Sequence, residues 1–274
     1  MHFNYHPVTD PVINFGNFVY LSQATQALCM KTESELYRRS RTAQANTMGT
    51  IYWQLNSIWP APTWSSMEYG GRWKMLHYFV KHFYAPVLIS PHQPQRDTLA
   101  VDLISDLTHS IQGTLQLELW SWKGALLNSW SAGYSSGPLT AGTVWSTSIK
   151  AMLSGHCRPE QCLLYLQCLD GNSKQLSNNV FYFTKLRSAL LVSPNVTVSQ
   201  FVKSGNAISF LVQSTAVAPY LWLETPLDGR FSDNGFVVLP GHSVQIIFYS
   251  WDSSISISKF TSSLTTKSLY DSFH

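Results

Sequence analysis

The protein is a chain of 274 residues, 45% hydrophobic and 14% aromatic but only 12% charged, a composition that buries a core and excludes wholesale disorder. Basic against acidic residues number 7 to 4 over residues 1–90, 7 to 6 over 91–188 and 4 to 5 over 189–274. With a formal charge of only +3 and no basic face, nucleic acid is not an expected partner.

The long charge-free stretch Gly124–Ile149 is rich in Ser, Thr and Gly and reads as strands and turns, whereas a spanning helix needs about 20 mainly apolar residues. No membrane partner is expected. The opening residues MHFNYHPVTDPV lack a basic segment followed by an apolar run, so no signal peptide is expected there.

Taken in chain order, the first ninety residues read as α/β. From Asn17 to Arg41, Phe18, Leu21, Ala24, Leu28 and Leu36 recur at helical spacing, with Gly16-Asn17 as a cap. Arg38, Arg39 and Arg41 sit where the macrodipole favours cations. Thr47–Leu55 is a short apolar run of the kind found in buried parallel strands. A loop rich in Pro and Trp follows over 56–71, then a helix over 72–84 with Trp73, Leu76, Val80 and Phe83 on one stripe. One parallel strand cannot satisfy its own backbone groups, so this part reads as an incomplete α/β fold.

Beyond Asp97 the period becomes two. Leu115, Leu117 and Leu119 alternate with polar residues, and further strands are expected over 99–107, 125–132, 142–150, 162–169 and 178–186. After a linker near 188–195, a second series covers 196–202, 207–213, 219–224, 235–239 and 243–249. Short strands at this spacing argue for two β-sandwiches.

The candidate chemistry is sparse. Gly133-Tyr-Ser135-Ser-Gly137 matches a nucleophile elbow, but Pro138 and strand-like sequence follow where a helix is required. A Ser/Gly-rich turn is the better account. His2 with His6, and His77 with His82, lack a third ligand, and His156 alone lies near Cys157 and Cys162. No metal or other cofactor is expected. Cys157 and Cys162, five apart beside Gly155 and Pro159, can close a small loop in an oxidising compartment. Glu68 is the one acid in a loop on the C-terminal side of the expected strand, the side where barrel enzymes place their sites. Trp53, Trp59, Trp64 and Tyr69 accompany it. Such a cluster either stacks on a sugar or packs as loop core, and the residues by themselves favour core.

Met48-Gly-Thr-Ile-Tyr-Trp-Gln-Leu-Asn56 and the following Ser57–Phe79 resemble the end of the catalytic barrel of β-mannosidases, which are retaining glycoside hydrolases. Lys31–Arg41 resembles their preceding barrel helix, and Ser214–Pro219 and Gly229–Phe236 resemble their C-terminal Ig-like domain. The resemblance implies a multidomain, mainly β chain. Residues 1–90 would be the C-terminal remnant of a (β/α)8 TIM barrel, 91–188 an Ig-like β-sandwich and 189–274 a second Ig-like β-sandwich.

It further implies a parent activity on terminal, non-reducing β-D-mannose residues, a lysosomal setting and β-mannosides as partners; oligomeric state is left open. Trp53 would form a wall of the mannose subsite with Asn56 near it, and Ser57 stands where the family usually has an acid. The family's acid/base lies in an Asn-Glu motif and its nucleophile in a Ser-Glu-Tyr-Gly motif, both upstream of the matched region. This chain has no Asn-Glu dipeptide. Met67-Glu68-Tyr69-Gly70 imitates the nucleophile motif after the wrong strand, so Glu68 receives no catalytic role. A truncated, inactive form is therefore expected, since a retaining glycosidase needs two carboxyl groups about 5–5.5 Å apart. The alternative is a non-catalytic Ig-like interaction or glycan-binding module. Asn195-Val-Thr197 is a glycosylation sequon.

Overall fold

A computed structural model of the protein describes residues 2, 3, 5–41 and 44–273. Two compact units emerge: one of residues 1–28, 52–79 and 191–274, the other of residues 29–51 and 80–190. Residues 1–90 are thus divided between the units.

The second unit is a two-sheet sandwich. Strands β1 (Val87–Gln95), β2 (Thr98–Ser105) and β5 (Ala141–Ser148) form one sheet in the order β1-β2-β5. The other contains β3 (Ile111–Ser121), β4 (Leu126–Ser136), β6 (Cys162–Asp170) and β7 (Gln175–Tyr182) in the order β4-β3-β6-β7. All its pairs are antiparallel. Leu115, Leu117 and Leu119 point inward, as their alternation requires, and meet Leu164, Leu166 and Cys168 together with Ile89, Leu99, Val101 and Leu103 from the facing sheet. The sequence reading lacked β1. Its Pro91 and Pro94 disguise it, and it tolerates them because it is an edge strand. Gly113 is required in β3, where a Cβ would fall 1.9 Å from the carbonyl oxygen of Leu169.

Helix α1 (Pro11–Arg39) begins six residues earlier than Gly16-Asn17 suggested. Asp10 is its true N-cap: one carboxylate oxygen accepts from the backbone N–H of Val12 at 2.8 Å and of Ile13 at 3.1 Å. Pro11 takes the first helical position, which costs no hydrogen bond. Within the second unit, its C-terminal part is anchored by Glu35, which is only 3% exposed. That carboxylate accepts from Lys31 at 2.9 Å, from the Ser90 hydroxyl at 2.7 Å and from the Asn179 amide at 3.0 Å. Asn179 also donates to the carbonyl of Ile89 at 2.8 Å. Glu33, two residues away, bonds instead to the exposed Tyr37 hydroxyl at 2.7 Å. Short helix α2 (Met75–Phe83) begins three residues later than expected, so Trp73 lies before it; of the expected stripe Leu76 and Phe83 are buried and Val80 half-buried. Between β5 and β6 lies α3 (Ile149–Leu153), N-capped by Ser148.

The first unit contains the second sandwich. One sheet has β8 (Thr197–Ser204), β9 (Ala207–Gln213), β11 (Gly229–Phe231) and β13 (Val244–Ser250) in the order β11-β13-β9-β8. The other has β10 (Ala218–Glu224), β12 (Phe236–Val238) and β14 (Thr265–Lys267) in the order β12-β10-β14. Ile208, Phe210, Val212, Ile246 and Phe248 meet Leu221, Leu223 and Val238 across the core. Phe260, from α4 (Ile257–Ser263), is fully buried and stacks on Phe248 at 4.9 Å between ring centroids.

The segment Thr47–Leu55 is not a strand. Ile51 is 95% exposed, and Met48 and Leu55 are exposed as well. An apolar run becomes a buried strand only when neighbours accept its backbone bonds and cover its faces. Among the described residues this segment forms no strand ladder: Gln54 O and Leu55 O each accept one N–H, from Ser66 and Met67, beside the isolated parallel bridge of Asn56 to Met67. No helix among the described residues is long and apolar enough to cross a membrane.

Candidate functional site

The loop expected to carry chemistry is held by its own backbone. Ser66 N–H donates to Gln54 O at 3.0 Å, Met67 N–H to Leu55 O at 2.9 Å and Ser57 N–H to Met67 O at 3.0 Å. These bonds set residues 53–57 beside residues 65–68. The Gln54 side chain adds a bond to the carbonyl of Asn56 at 2.7 Å. The Trp53–Gln54 peptide bond is cis.

Trp53 is 70% exposed, and Trp59, Trp64 and Tyr69 are also exposed. The core reading of this cluster is therefore wrong: the rings are presented to solvent. The loop's interior is polar instead. Ser57, Thr63 and Ser65 bring their hydroxyl oxygens within 2.7 Å of one another. Lys74 donates to the Thr63 carbonyl at 3.0 Å and to the Ser65 hydroxyl at 3.1 Å. Burial pushes the Lys74 ammonium below its ordinary pKa, against the opposing pull of Glu68. The Ser66 hydroxyl joins Tyr52 and His77, each at 2.9 Å, so His77 is engaged inside the loop. A residue-57 hydroxyl fits this interior because it both donates and accepts.

Glu68 is exposed on a tight turn. Its N–H donates to Arg72 O at 2.8 Å and its carbonyl accepts from Gly71 N–H at 3.0 Å. Gly70 and Gly71 have φ of +91° and +88°, the region where only glycine is unstrained. Glu68 is the sole acid in sequence between Glu35 and Asp97, so this loop contributes one carboxylate where glycoside cleavage takes two.

The elbow-like Gly133–Gly137 lies mostly inside β4, with Ser135 paired to Gln112; the turn proper is at 137–140, and strand β5 follows. The sequence reading put the turn too early. Among the described residues no three His, Cys, Asp or Glu side chains are grouped as metal ligands would be. Cys157 and Cys162 are bonded, with Cα atoms 6.4 Å apart. Asn195 is exposed, its amide donating to Thr215 at 3.2 Å.

A cavity of about 200 Å³ opens in the second unit between Tyr37, Arg38, Arg41, Thr47, Tyr84 and Asp106. Its charges are already paired: Asp106 takes Arg38 at 2.8 Å and Arg41 at 2.6 Å. It includes neither Trp53 nor Glu68 and offers no reacting pair.

Residues to which the sequence reading gave no part in the site tie the aromatic loop to the first unit's sandwich. Arg72 donates to Thr225 O at 3.2 Å, and Trp73 lies beneath the Arg230 guanidinium at 5.0 Å. Trp251 rests against Gly71. Partners more than 150 residues apart leave no local signal.

Two antiparallel sandwiches define a class of fold, the Ig-like β-sandwich domains. Residues 97–188 match the family model described as a mannosidase Ig/CBM-like domain, and residues 191–272 match the Ig-fold domain of mannosidases. Curated relatives extend the match to the whole chain. The beta-mannosidase of Mus musculus is 35% identical over 283 residues, covering 100% of this chain and 32% of the relative. Beta-mannosidase A of Aspergillus terreus is 31% identical over 98% of this chain and 30% of its own length. Among solved structures, the beta-D-mannosidase of Dictyoglomus thermophilum superposes with a TM-score of 0.78 at 20% identity, over 97% of this chain and 31% of that one. An exo-chitosanase from Amycolatopsis orientalis gives 0.69 at 19% identity, over 92% and 34%. These two structures share the fold. The chain belongs to the β-mannosidase family of glycoside hydrolases and corresponds to its C-terminal part. It spans about a third of the length of the curated relatives it matches.

Proposed function

We propose that this chain is the non-catalytic C-terminal part of a β-mannosidase, a glycosidase acting on terminal, non-reducing β-D-mannose residues of oligosaccharides. Residues 1–90 are read as the closing piece of a (β/α)8 barrel, with Trp53 as a wall of the mannose subsite and Asn56 beside it. Residues 91–188 and 189–274 are read as accessory sandwiches. The observation that carries this is the 70% exposure of Trp53, an indole whose chain neighbours Gln54 and Leu55 are held by backbone bonds to Ser66 and Met67. Aromatic faces of this kind suit the apolar face of a pyranose.

Glu68 has no role in cleavage on this reading. A lone carboxylate cannot act as both acid and nucleophile, and loss of one member of a cooperating pair costs orders of magnitude in rate. The purified chain is expected to leave an aryl β-mannoside intact; hydrolysis abolished by Glu68→Gln overturns the proposal. A lysosomal setting, a disulfide retained in that compartment and a glycan on Asn195 complete the reading. Mass spectrometry of the protein from its native source tests the disulfide and the glycan directly. The description of the family model over 97–188 as CBM-like favours, as second reading, a chain that binds glycan without cleaving it.

A further inference from the structure

Trp251 directly follows β13 and is 57% exposed. Its backbone N–H donates to Asp228 O at 3.1 Å. The edge of its ring lies on Gly71: a Cβ there would be 3.4 Å from ring atom Cη2 and 3.9 Å from Cζ2. The indole therefore covers bare backbone and leaves most of its surface to solvent, although burying an aromatic side chain is worth about 1.5–3 kcal/mol. The two successive glycines leave a ledge with no side chains of its own.

That ledge is fixed. The turn closes through Glu68 and Arg72, Arg72 bonds the sandwich at Thr225, and Trp73 stacks under Arg230. Tyr69, on the same turn, is exposed. Met67, the residue before Glu68, is bridged to Asn56, three residues from Trp53. Three exposed rings, Trp53, Tyr69 and Trp251, thus stand on segments joined to one another by backbone bonds or direct contact.

We propose that Trp251 on the Gly70–Gly71 ledge is a sugar platform that takes the second unit of a β-linked mannose oligosaccharide whose terminal unit lies on Trp53. The occupant is argued from the linked segments that carry Trp53 and Trp251 and from their exposure: a saccharide has a flat C–H face for each ring and hydroxyls that stay in water, which suits indoles that are partly covered. The inference rests on the mannoside reading of Trp53, and the experiment separates the two.

Binding of mannose and of β-linked mannotriose to the whole chain is compared by ligand-observed NMR and tryptophan fluorescence. Trp251→Ala is expected to weaken mannotriose about fivefold, in line with the worth of an aromatic contact, and to leave mannose unchanged. Trp251→Phe should restore most of the loss, and Trp53→Ala should weaken both sugars. Circular dichroism checks that each variant is folded. Mannotriose affinity unaltered in Trp251→Ala, or mannose weakened equally, overturns the platform and spares the Trp53 reading. If the unaltered chain binds neither sugar, both fall.

Discussion

Two segments of this molecule, Cys162–Leu169 in β6 and Met48–Leu55, have similarly apolar sequences and opposite fates. In β6, Leu164, Leu166 and Cys168 are inaccessible to solvent, because β3 and β7 pair with both edges and the facing sheet covers the side chains. In the other segment, Met48, Ile51, Trp53 and Leu55 are exposed. The difference lies in the neighbours. Burial of an apolar run is a property of the pairing around it, and of these two segments β6 alone has that pairing.

The comparison can be broken most severely in β6. Leu164→Ala deletes a fully buried side chain between two sheets and is expected to cost about 2–5 kcal/mol, read as a lower urea midpoint at unchanged slope. A buried polar group of the same sandwich comes next. Asp102 is buried; its carboxylate accepts from Thr143 at 2.6 Å and lies 3.2 Å from His92 Nε2. Burial by itself raises its pKa, but His92, Thr143 and Arg39 outweigh burial and hold it below the ordinary value of 3.8.

A depressed carboxyl stabilises the fold fully above its unfolded value and ceases to do so as pH falls through the folded one. Asp102→Asn should therefore lower stability by about 1–2 kcal/mol at neutral pH. The gap from the unaltered chain should close as acid titration passes below that range; a gap constant with pH refutes the assignment.

Smaller effects sharpen the contrast. Ser256 caps α4 by accepting from Lys259 N–H at 3.1 Å, so Ser256→Ala should cost about 1 kcal/mol by thermal melting. Ile51→Ala should change stability by less than about 0.5 kcal/mol, since its side chain covers nothing. A loss comparable to that of Leu164→Ala would show that the segment is buried in solution.

Much of the architecture was legible. The period-two runs at 115–119, 207–213 and 243–249 became strands with the expected faces inward, because alternation is itself the geometry of a half-buried strand. Edge strand β1 was hidden by its prolines, and the three-residue strands β11 and β14 are too short to show a period. At the loop, the sequence identified Trp53, Asn56 and Glu68 as residues to weigh but misjudged the aromatic cluster as core. Whether an indole is covered depends on side chains arriving from elsewhere.

Residue order alone established the family and the two sandwiches, through patterns that are local or read along the chain. Only the tertiary structure decided that Thr47–Leu55 lies open, that Glu35 is sealed beneath Asn179 and Ser90, and that Trp251 meets Gly71. The last two join residues 55 to 180 positions apart, and contacts at such separation are set by how elements pack, which no local pattern of polar and apolar residues encodes.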